Sequence, residues 1–281
     1  MVEKPVIGLA PIDEALGPFD DHTFLGIGSF GETYRVRKNG EDFAVKIIHA
    51  AGLPDYVFAR EVEALRRISH PNVMGFIDSG SIDADGALYP YLRCEFIPGE
   101  SVFQKRESGE LPPSAEAVEE MLSGLLLAVR EIHARSILHR DISSRNVMLR
   151  NGDWHTPVLL DFGLARVLDM SGHSLYPQQI GTFRYMAPEQ LEGKPPGTRS
   201  DLYAVGSVVY EAATGVHPYD VDSHPTTALL LKHMEEGPPA DPRQLCTVFN
   251  DETANLVLRL LSVEGFRRLT VSRALKDLGH E

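Results

Sequence analysis

The sequence predicts an α+β chain of two lobes: a small antiparallel β-sheet lobe with one main helix, then a larger, mostly helical lobe. Three observations carry this. Between Phe24 and Ile48, apolar and β-branched residues come in short runs broken by glycines and by an Asn39-Gly40 turn, the pattern of strand, glycine loop, strand, hairpin and strand. Past Pro98-Gly99 the texture changes to long apolar segments at helical spacing. A length of 281 residues is long for one minimal core and short for three, which favours one large domain or two packed lobes. The expected boundaries are a lead-in over 1–22, a sheet lobe over 23–97 and a helical lobe over 98–281.

The elements follow in order. Residues 1–22 lack clear periodicity and are rich in Pro, Gly and acid, so a loosely held lead-in is expected. After the three strands, VFAREVEALRRIS places Phe58, Val62, Leu65 and Ile68 on one helical face, and HPN supplies a stop. Further strands are expected near Val73–Ser79 and Leu92–Ile97, and Pro98-Gly99 marks a hinge or linker. Residues 115–135 form a long amphipathic helix, whereas DLYAVGSVVYEAATG is apolar nearly all round and should be buried. Between these helices VML and VLL look like short strands with polar motifs at their ends. Internal repeats and low-complexity tracts are absent from the sequence.

Composition narrows the function classes. With 43% hydrophobic and 24% charged residues the chain is an ordinary globular sequence able to bury a sizeable core. Its 40 acids against 27 bases give a net charge of −13, which disfavours nonspecific binding to nucleic acid or to anionic membranes. Two cysteines, Cys94 and Cys246, build neither a disulfide framework nor a CxxC site, and a reducing, cytoplasmic setting is expected. Neither a spanning segment nor a signal peptide is read in the sequence.

Three constellations carry chemistry. Gly26, Gly28 and Gly31, with Ile27, Ser29 and Phe30 between them, sit between two strands, where backbone N–H groups can approach phosphate oxygens. Alone this is weak, since an ordinary β-turn uses the same glycines; a dinucleotide fold is disfavoured because no helix follows. Lys46, in the apolar strand FAVKII, needs an anionic partner, and Glu61 can reach inward from the edge of the helix face. Opposite charges at ~4 Å attract by roughly 4 kcal/mol at an effective dielectric of 20, before desolvation is subtracted. HRDISSRN and the later Asp161-Phe162-Gly163 place Asp141, Asn146 and Asp161 at the ends of short strands, an oxygen set that suits Mg²⁺ with substrate phosphates. A satisfied polar turn is the alternative.

Taken together these motifs resemble the catalytic domain of eukaryotic-type (Hanks-type) protein kinases. The likeness runs in family order from about Phe24 to about Leu278: GIGSFG, AVK, Glu61, HRDISSRN, DFG, Ala187-Pro188-Glu189 in GTFRYMAPE, Asp201 in SDLYAVG, and Arg268 in FRRLT, which would pair with Glu189. The resemblance implies a bilobal protein-kinase-like fold and phosphoryl transfer from Mg-ATP to a hydroxyl of a protein substrate, the chain itself included, by positioning and charge neutralisation. It implies that Asp141 receives or orients the hydroxyl proton and that Lys46, aimed by Glu61, steadies the α- and β-phosphates. Asn146 and Asp161 hold two Mg²⁺ ions, with Mn²⁺ as an alternative metal. Cys94 would precede the hinge, Glu95 and Ile97 would offer backbone groups to adenine, and Ala44 and Met148 would line its site, with Thr33 where a Val is usual. Leu65, His139 and Phe162 look like members of a hydrophobic stack joining the lobes, although plain core accounts for them equally.

The sequence also departs from the pattern. Ser143 stands where Ser/Thr kinases usually carry a Lys, with Arg145 two residues on, as in many tyrosine kinases. GTFRYMAPE is similar to the Ser/Thr type, in which a hydroxyl such as that of Thr182 packs beside the catalytic Asp, and Ser/Thr specificity is expected. The missing Lys removes a charged hydrogen bond worth roughly 1.5–3 kcal/mol, so slower transfer is expected unless Arg145 compensates. The Arg at the position of Arg140 often clamps an activation-loop phosphate in this family; here Gln178 occupies the usual phosphosite, so control is expected at Ser171, Ser174 or Tyr176, or the loop is held without phosphate. Rival readings are a nucleotide-binding pseudokinase or scaffold, and a small-molecule phosphotransferase of related fold. The oligomeric state is not readable from the sequence.

Overall fold

The computed structural model describes residues 5–28, 31–49, 58–59, 62–63, 65–160, 182–219 and 226–280. They fall into two compact units, the first holding 5–69 and 74–96 and the second 70–73, 97–160 and 182–280. Ser29, Phe30, Glu61, Asp161, Phe162, Ser171, Ser174 and Tyr176 lie outside the described residues, as does the side chain of Thr182. None of the described helices is long and apolar enough to cross a membrane.

The first unit is built on a five-stranded antiparallel sheet in the order β1-β2-β3-β5-β4. Its strands are β1 (Asp21–Gly28), β2 (Gly31–Lys38), β3 (Glu41–Ile48), β4 (Phe76–Ala84) and β5 (Ala87–Glu95). The β2–β3 hairpin turns at Asn39 and Gly40, both with positive φ (54° and 80°), the left-handed pair that matches the twist of flanking strands. Asp85 and Gly86 repeat the same chemistry between β4 and β5, at φ 53° and 80°. This second hairpin is longer than the sequence suggested. The polar run Asp78, Ser79, Ser81 and Asp83 and the residue Pro90 hid an alternation that buries Ile82 and Ala84.

The expected loose lead-in is a correction. Residues 10–16 form a helix that packs on β4, and its Ile12 is 0% exposed. Ile12 joins Tyr34, Val36, Val45, Ile47 and Ile82 in one apolar cluster. Lys38 Nζ donates to the carbonyls of Leu16 (2.5 Å) and Gly17 (2.9 Å), satisfying acceptors that a helix C-terminus leaves open. The Pro, Gly and acidic residues of the segment disguised the inward Ile12, the apolar residues packed beside it and a set of backbone bonds. In the segment after β3, residues 58–59, 62–63 and 65 are helical; Val62, Leu65 and Ile68 are buried, and Ile68 follows a turn at Arg66-Arg67 rather than continuing the helix.

The second unit is helical around a small sheet. The helix Ala115–His133, capped by Ser114 whose Oγ accepts from Ala117 N (3.2 Å), packs against the helices Thr198–Thr214 and Val271–Asp277. Thr198–Thr214 is buried without interruption from Ser200 to Ala213, as its all-round apolar sequence predicts. The three-stranded antiparallel sheet runs β6 (Gly99–Ser101), β7 (Val147–Arg150), β8 (Pro157–Leu159). Pro98-Gly99, read as a hinge or linker, thus leads directly into β6. Gly99 has φ 123°, and a Cβ there would lie 2.1 Å from the Leu149 carbonyl oxygen, so only glycine lets β6 approach β7.

The packed helix Ala10–Leu16 makes a testable demand. Ile12→Ala should lower unfolding free energy by about 2–5 kcal/mol, read from the urea midpoint at unchanged slope. An unchanged midpoint would restore the loose lead-in.

Candidate functional site

In the second unit the HRDISSRN segment hangs from one acid. The helix Thr198–Thr214 carries Asp201 in its first turn, where the helix dipole favours a carboxylate. Asp201 is 3% exposed, and its Oδ2 accepts from His139 N (3.0 Å) and His133 Nε2 (2.8 Å) while Oδ1 accepts from Arg140 N (2.9 Å). Arg140 has φ 66°, a conformation costing a non-glycine residue roughly 1–3 kcal/mol. A hydrogen bond to a charged acceptor is worth about 1.5–3 kcal/mol, enough to offset it. His139 is fully buried, donates from Nε2 to Leu160 O (2.7 Å) and accepts at Nδ1 from Asp141 N (3.3 Å), which fixes its neutral tautomer.

Those bonds place Asp141, half-buried, at the head of the loop. Asn146 Nδ2 donates to Asp141 O (2.8 Å) and Oδ2 (3.0 Å), closing the loop on itself. The loop is tied in turn to the strand ends, because Leu160 N donates to Asn146 O at 2.9 Å. Asp141, Ile142 and Arg140 face a small recess shared with Tyr185, Gln190 and Ser200. Ser143 is buried. Arg145, the cation that would have to compensate for the missing Lys, is exposed, with its guanidinium carbon 3.4 Å from the centroid of the Phe103 ring. Met148 lies in β7 opposite Ser101 and Val158, and Ile97 is buried.

The first unit brings together a second group. Cross-strand register puts Gly26 opposite Thr33, Thr33 opposite Lys46, and Lys46 opposite Leu92. Two residues along β3, Ala44 stands opposite Cys94. Strand alternation therefore sets Gly26, Thr33, Ala44, Lys46 and Cys94 on one face of the sheet. Lys46 is 7% exposed, a burial that ammonium groups accept only with compensation. Glu95 N donates to Gly75 O (2.8 Å). Gly28 pairs with Gly31 where the two strands meet. Gly31 is required by packing alone: at φ 146°, a Cβ would fall 1.7 Å from Ile47 O.

The activation-segment end is braced by contacts that sequence reasoning missed. Tyr185, in the short 3-10 helix Thr182–Tyr185, donates to Glu211, so the Ser144 Oγ at 2.7 Å must donate to Tyr185. Glu211, 1% exposed, also takes Arg106 and Arg184, the latter at 2.9 Å. Burial, followed by the Glu211 charge, pushes the Tyr185 phenol well above its usual range. Arg106 and Glu211 are 105 positions apart and neither sits in a spaced motif, so no local signal marked them. Arg268, also missed as a buried hub though expected to pair with Glu189, donates to Glu189 Oε1 (2.7 Å) and Oε2 (2.8 Å) and to the carbonyls of Ser262, Val263 and Arg199. Burial works to raise the Glu189 carboxyl, but Arg268 and the Ser200 hydroxyl hold it below its ordinary value.

His217 locks this platform. Its Nε2 donates to Arg184 O (2.7 Å) and its Nδ1 accepts from Tyr219 N (3.2 Å), a neutral tautomer with no place for a second proton. Burial pushes its pKa down from 6.5 to about 3; the bond to the Arg184 carbonyl opposes this, and the Arg184 and Arg106 charges add to it. A folded-state value below the unfolded one gives stability that is complete above about pH 6.5 and drains as pH falls toward 3. Unfolding free energy should therefore fall by about 2 kcal/mol between pH 6.5 and 5 from this group. In urea titrations His217→Gln should remove that part of the slope; parallel pH profiles would contradict the assignment.

Comparison with known proteins places these features in context. The model of the family described as "Protein kinase domain" matches residues 19–278. A probable serine/threonine-protein kinase of Corynebacterium efficiens is 33% identical over 223 residues, covering 76% of this chain and 33% of that protein. A serine/threonine-protein kinase of Myxococcus xanthus is 32% identical over 265 residues, covering 90% and 47% respectively. A DNA damage-responsive serine/threonine-protein kinase of Deinococcus radiodurans is 31% identical over 283 aligned residues, covering 96% and 40%. The chain spans between a third and a half of the length of these relatives.

Proposed function

The chain belongs to the protein kinase domain family, and from that premise we propose that it transfers the γ-phosphoryl group of Mg-ATP to serine or threonine hydroxyls of a protein substrate. Residues 23–97 then act as the nucleotide-binding lobe and 98–281 as the catalytic lobe. The observation that carries the reading is the loop in which Asp201 holds Arg140 and His139, and Asn146 holds Asp141. It leaves Asp141 as a fixed carboxylate able to orient a hydroxyl and take its proton, which is the acid–base work phosphoryl transfer asks of the protein.

The donor chemistry fits a hard cation. Asn146 spends its amide N–H groups on Asp141, so its carbonyl oxygen is the atom it can offer to Mg²⁺, with Asp161 as the second ligand and Mn²⁺ as an alternative ion. Such an ion supplies neutralisation of phosphate charge. Lys46 steadies the α- and β-phosphates from the buried strand β3, aimed by Glu61. Gly26, Ile27, Gly28, Ser29, Phe30 and Gly31 cover the phosphates, while Thr33, Ala44, Cys94, Met148 and the backbone of Glu95 and Ile97 hold adenine. The serine/threonine assignment rests on the relatives and on the GTFRYMAPE segment, braced through Tyr185 and Glu211. Arg145 on Phe103 favours slow transfer over replacement of the missing Lys at Ser143. Cys94 and Cys246, neither of them in a disulfide, fit a reducing, cytoplasmic setting.

Radiolabelled ATP with Mg²⁺ and a degenerate peptide mixture, followed by phosphoamino-acid analysis, tests the proposal. Asp141→Asn should lower kcat by roughly 10²–10⁴-fold while nucleotide binding persists, and Lys46→Met should lower kcat/KM. Label on serine and threonine is expected. Unaltered transfer by Asp141→Asn, or label on small alcohols alone, would overturn it.

A further inference from the structure

Glu32 is a carboxylate with 0% exposure in the middle of a sheet lobe, one residue after the last glycine of the phosphate turn. Isolated burial of such a group costs several kcal/mol, so its partners define its purpose. They come from a stretch 24 to 26 residues upstream: Val6 N donates to Oε2 (2.6 Å), Ile7 N to Oε1 (3.1 Å) and Oε2 (3.3 Å), and Gly8 N to Oε1 (3.1 Å). Tyr34 Oη adds a fourth donor at 3.4 Å, and His49 Nε2 stands 3.7 Å from Oε2. Burial, then the adjacent Glu32 charge, pushes the Tyr34 phenol far above its ordinary value. Three successive backbone N–H groups converging on one carboxylate form an anion-holding cradle, here filled from within the chain.

The cradle belongs to a strap. From Val6 to Asp20 the chain is fastened to β2 at one end by Glu32 and at the other by Lys38, which donates to Leu16 O and Gly17 O, while the helix between these two points packs on β4 and drives Ile12 into the core. Glu32, Tyr34, Val36 and Lys38 alternate onto the strap face of β2, while Thr33 takes the opposite face beside Lys46 and Gly26. A shift of Glu32 along or across the sheet therefore carries Gly31 and Thr33 with it. Gly31 has little room to accommodate one, given the close approach of the Ile47 carbonyl.

We propose that Glu32 is a positioning residue: by clasping the Val6–Gly8 backbone it fixes the strand leaving the glycine turn, and so sets affinity for the nucleotide triphosphate. This rests on the ATP-binding reading above. The strap works as a splint on the back of the sheet. It holds Gly31 and Thr33 in place before nucleotide arrives, so less ordering entropy is lost on binding.

The test compares the full chain with Glu32→Gln, which presents an amide N–H₂ to backbone donors, and with Val6→Pro, which deletes the 2.6 Å donor from an exposed residue without altering β2. A third variant, Ile82→Ala, lowers the melting temperature through the same core without touching the cradle. Glu32→Gln should raise Kd and KM for Mg-ATP by roughly tenfold with kcat within about twofold, Val6→Pro should do so in part, and Ile82→Ala should leave KM unchanged. Amide hydrogen exchange over residues 24–33 needs no nucleotide and should accelerate in the first two variants alone. Unchanged exchange there, or a KM that rises equally in Ile82→Ala, would overturn the splint. Accelerated exchange in a chain that binds no Mg-ATP would overturn the proposed function and its nucleotide role, leaving the structural clasp standing.

Discussion

The catalytic-loop geometry depends on the Asp201 carboxylate. It is buried at the start of the most deeply packed helix and accepts the N–H groups of His139 and Arg140. Removing it would take away the bond that helps offset the strain of a positive-φ arginine, and the next residue in the chain is Asp141. Everything downstream is local bookkeeping of hydrogen bonds: His139 orders Asp141 N, Asn146 orders the Asp141 side chain, and Leu160 orders Asn146. The Asp141 carboxylate, on a loop, is thereby tied to a helix core through five side-chain and backbone contacts.

The second unit repeats this logic at its platform. Glu189 and Glu211 are each met by arginines from distant sequence, Arg268 in one case and Arg106 with Arg184 in the other. Buried ion pairs are weak sources of net stability, since desolvation consumes most of the attraction, but removing one partner is costly. Their value lies in uniqueness of geometry: Tyr185 and Ser144 link the activation-segment end to the loop that carries Asp141 through one hydrogen-bond chain.

Much of the fold was legible because its signals were local. The Asn39-Gly40 turn announced the β2–β3 hairpin, and the uninterrupted apolar run around Val205 announced a buried helix. The β4–β5 hairpin carried an equally good Asp85-Gly86 turn, but alternation of Ser and Asp with single inward residues such as Ile82 masked the strands. Within the candidate site, Lys46, Asp141, Asn146 and Asp201 were readable from spacing and from the family resemblance. Glu32 was not, because its partners are backbone N–H groups of Val6, Ile7 and Gly8, and a backbone donor leaves no trace in residue identity. The same holds for His133, which reaches Asp201 from another helix with nothing in its neighbourhood to mark it.

The most direct test of the account replaces Asp201 by Asn, which keeps the shape but turns one acceptor into a donor facing the backbone N–H groups. Steady-state phosphotransfer and equilibrium binding of Mg-ATP are then measured on the same folded preparation. The account predicts a fall in kcat of roughly a hundredfold, the scale of a misplacement of about 1 Å at a reacting group, with nucleotide affinity within a few-fold of the parent. A variant that turns over at the parental rate would show that Asp141 is held by something other than this carboxylate.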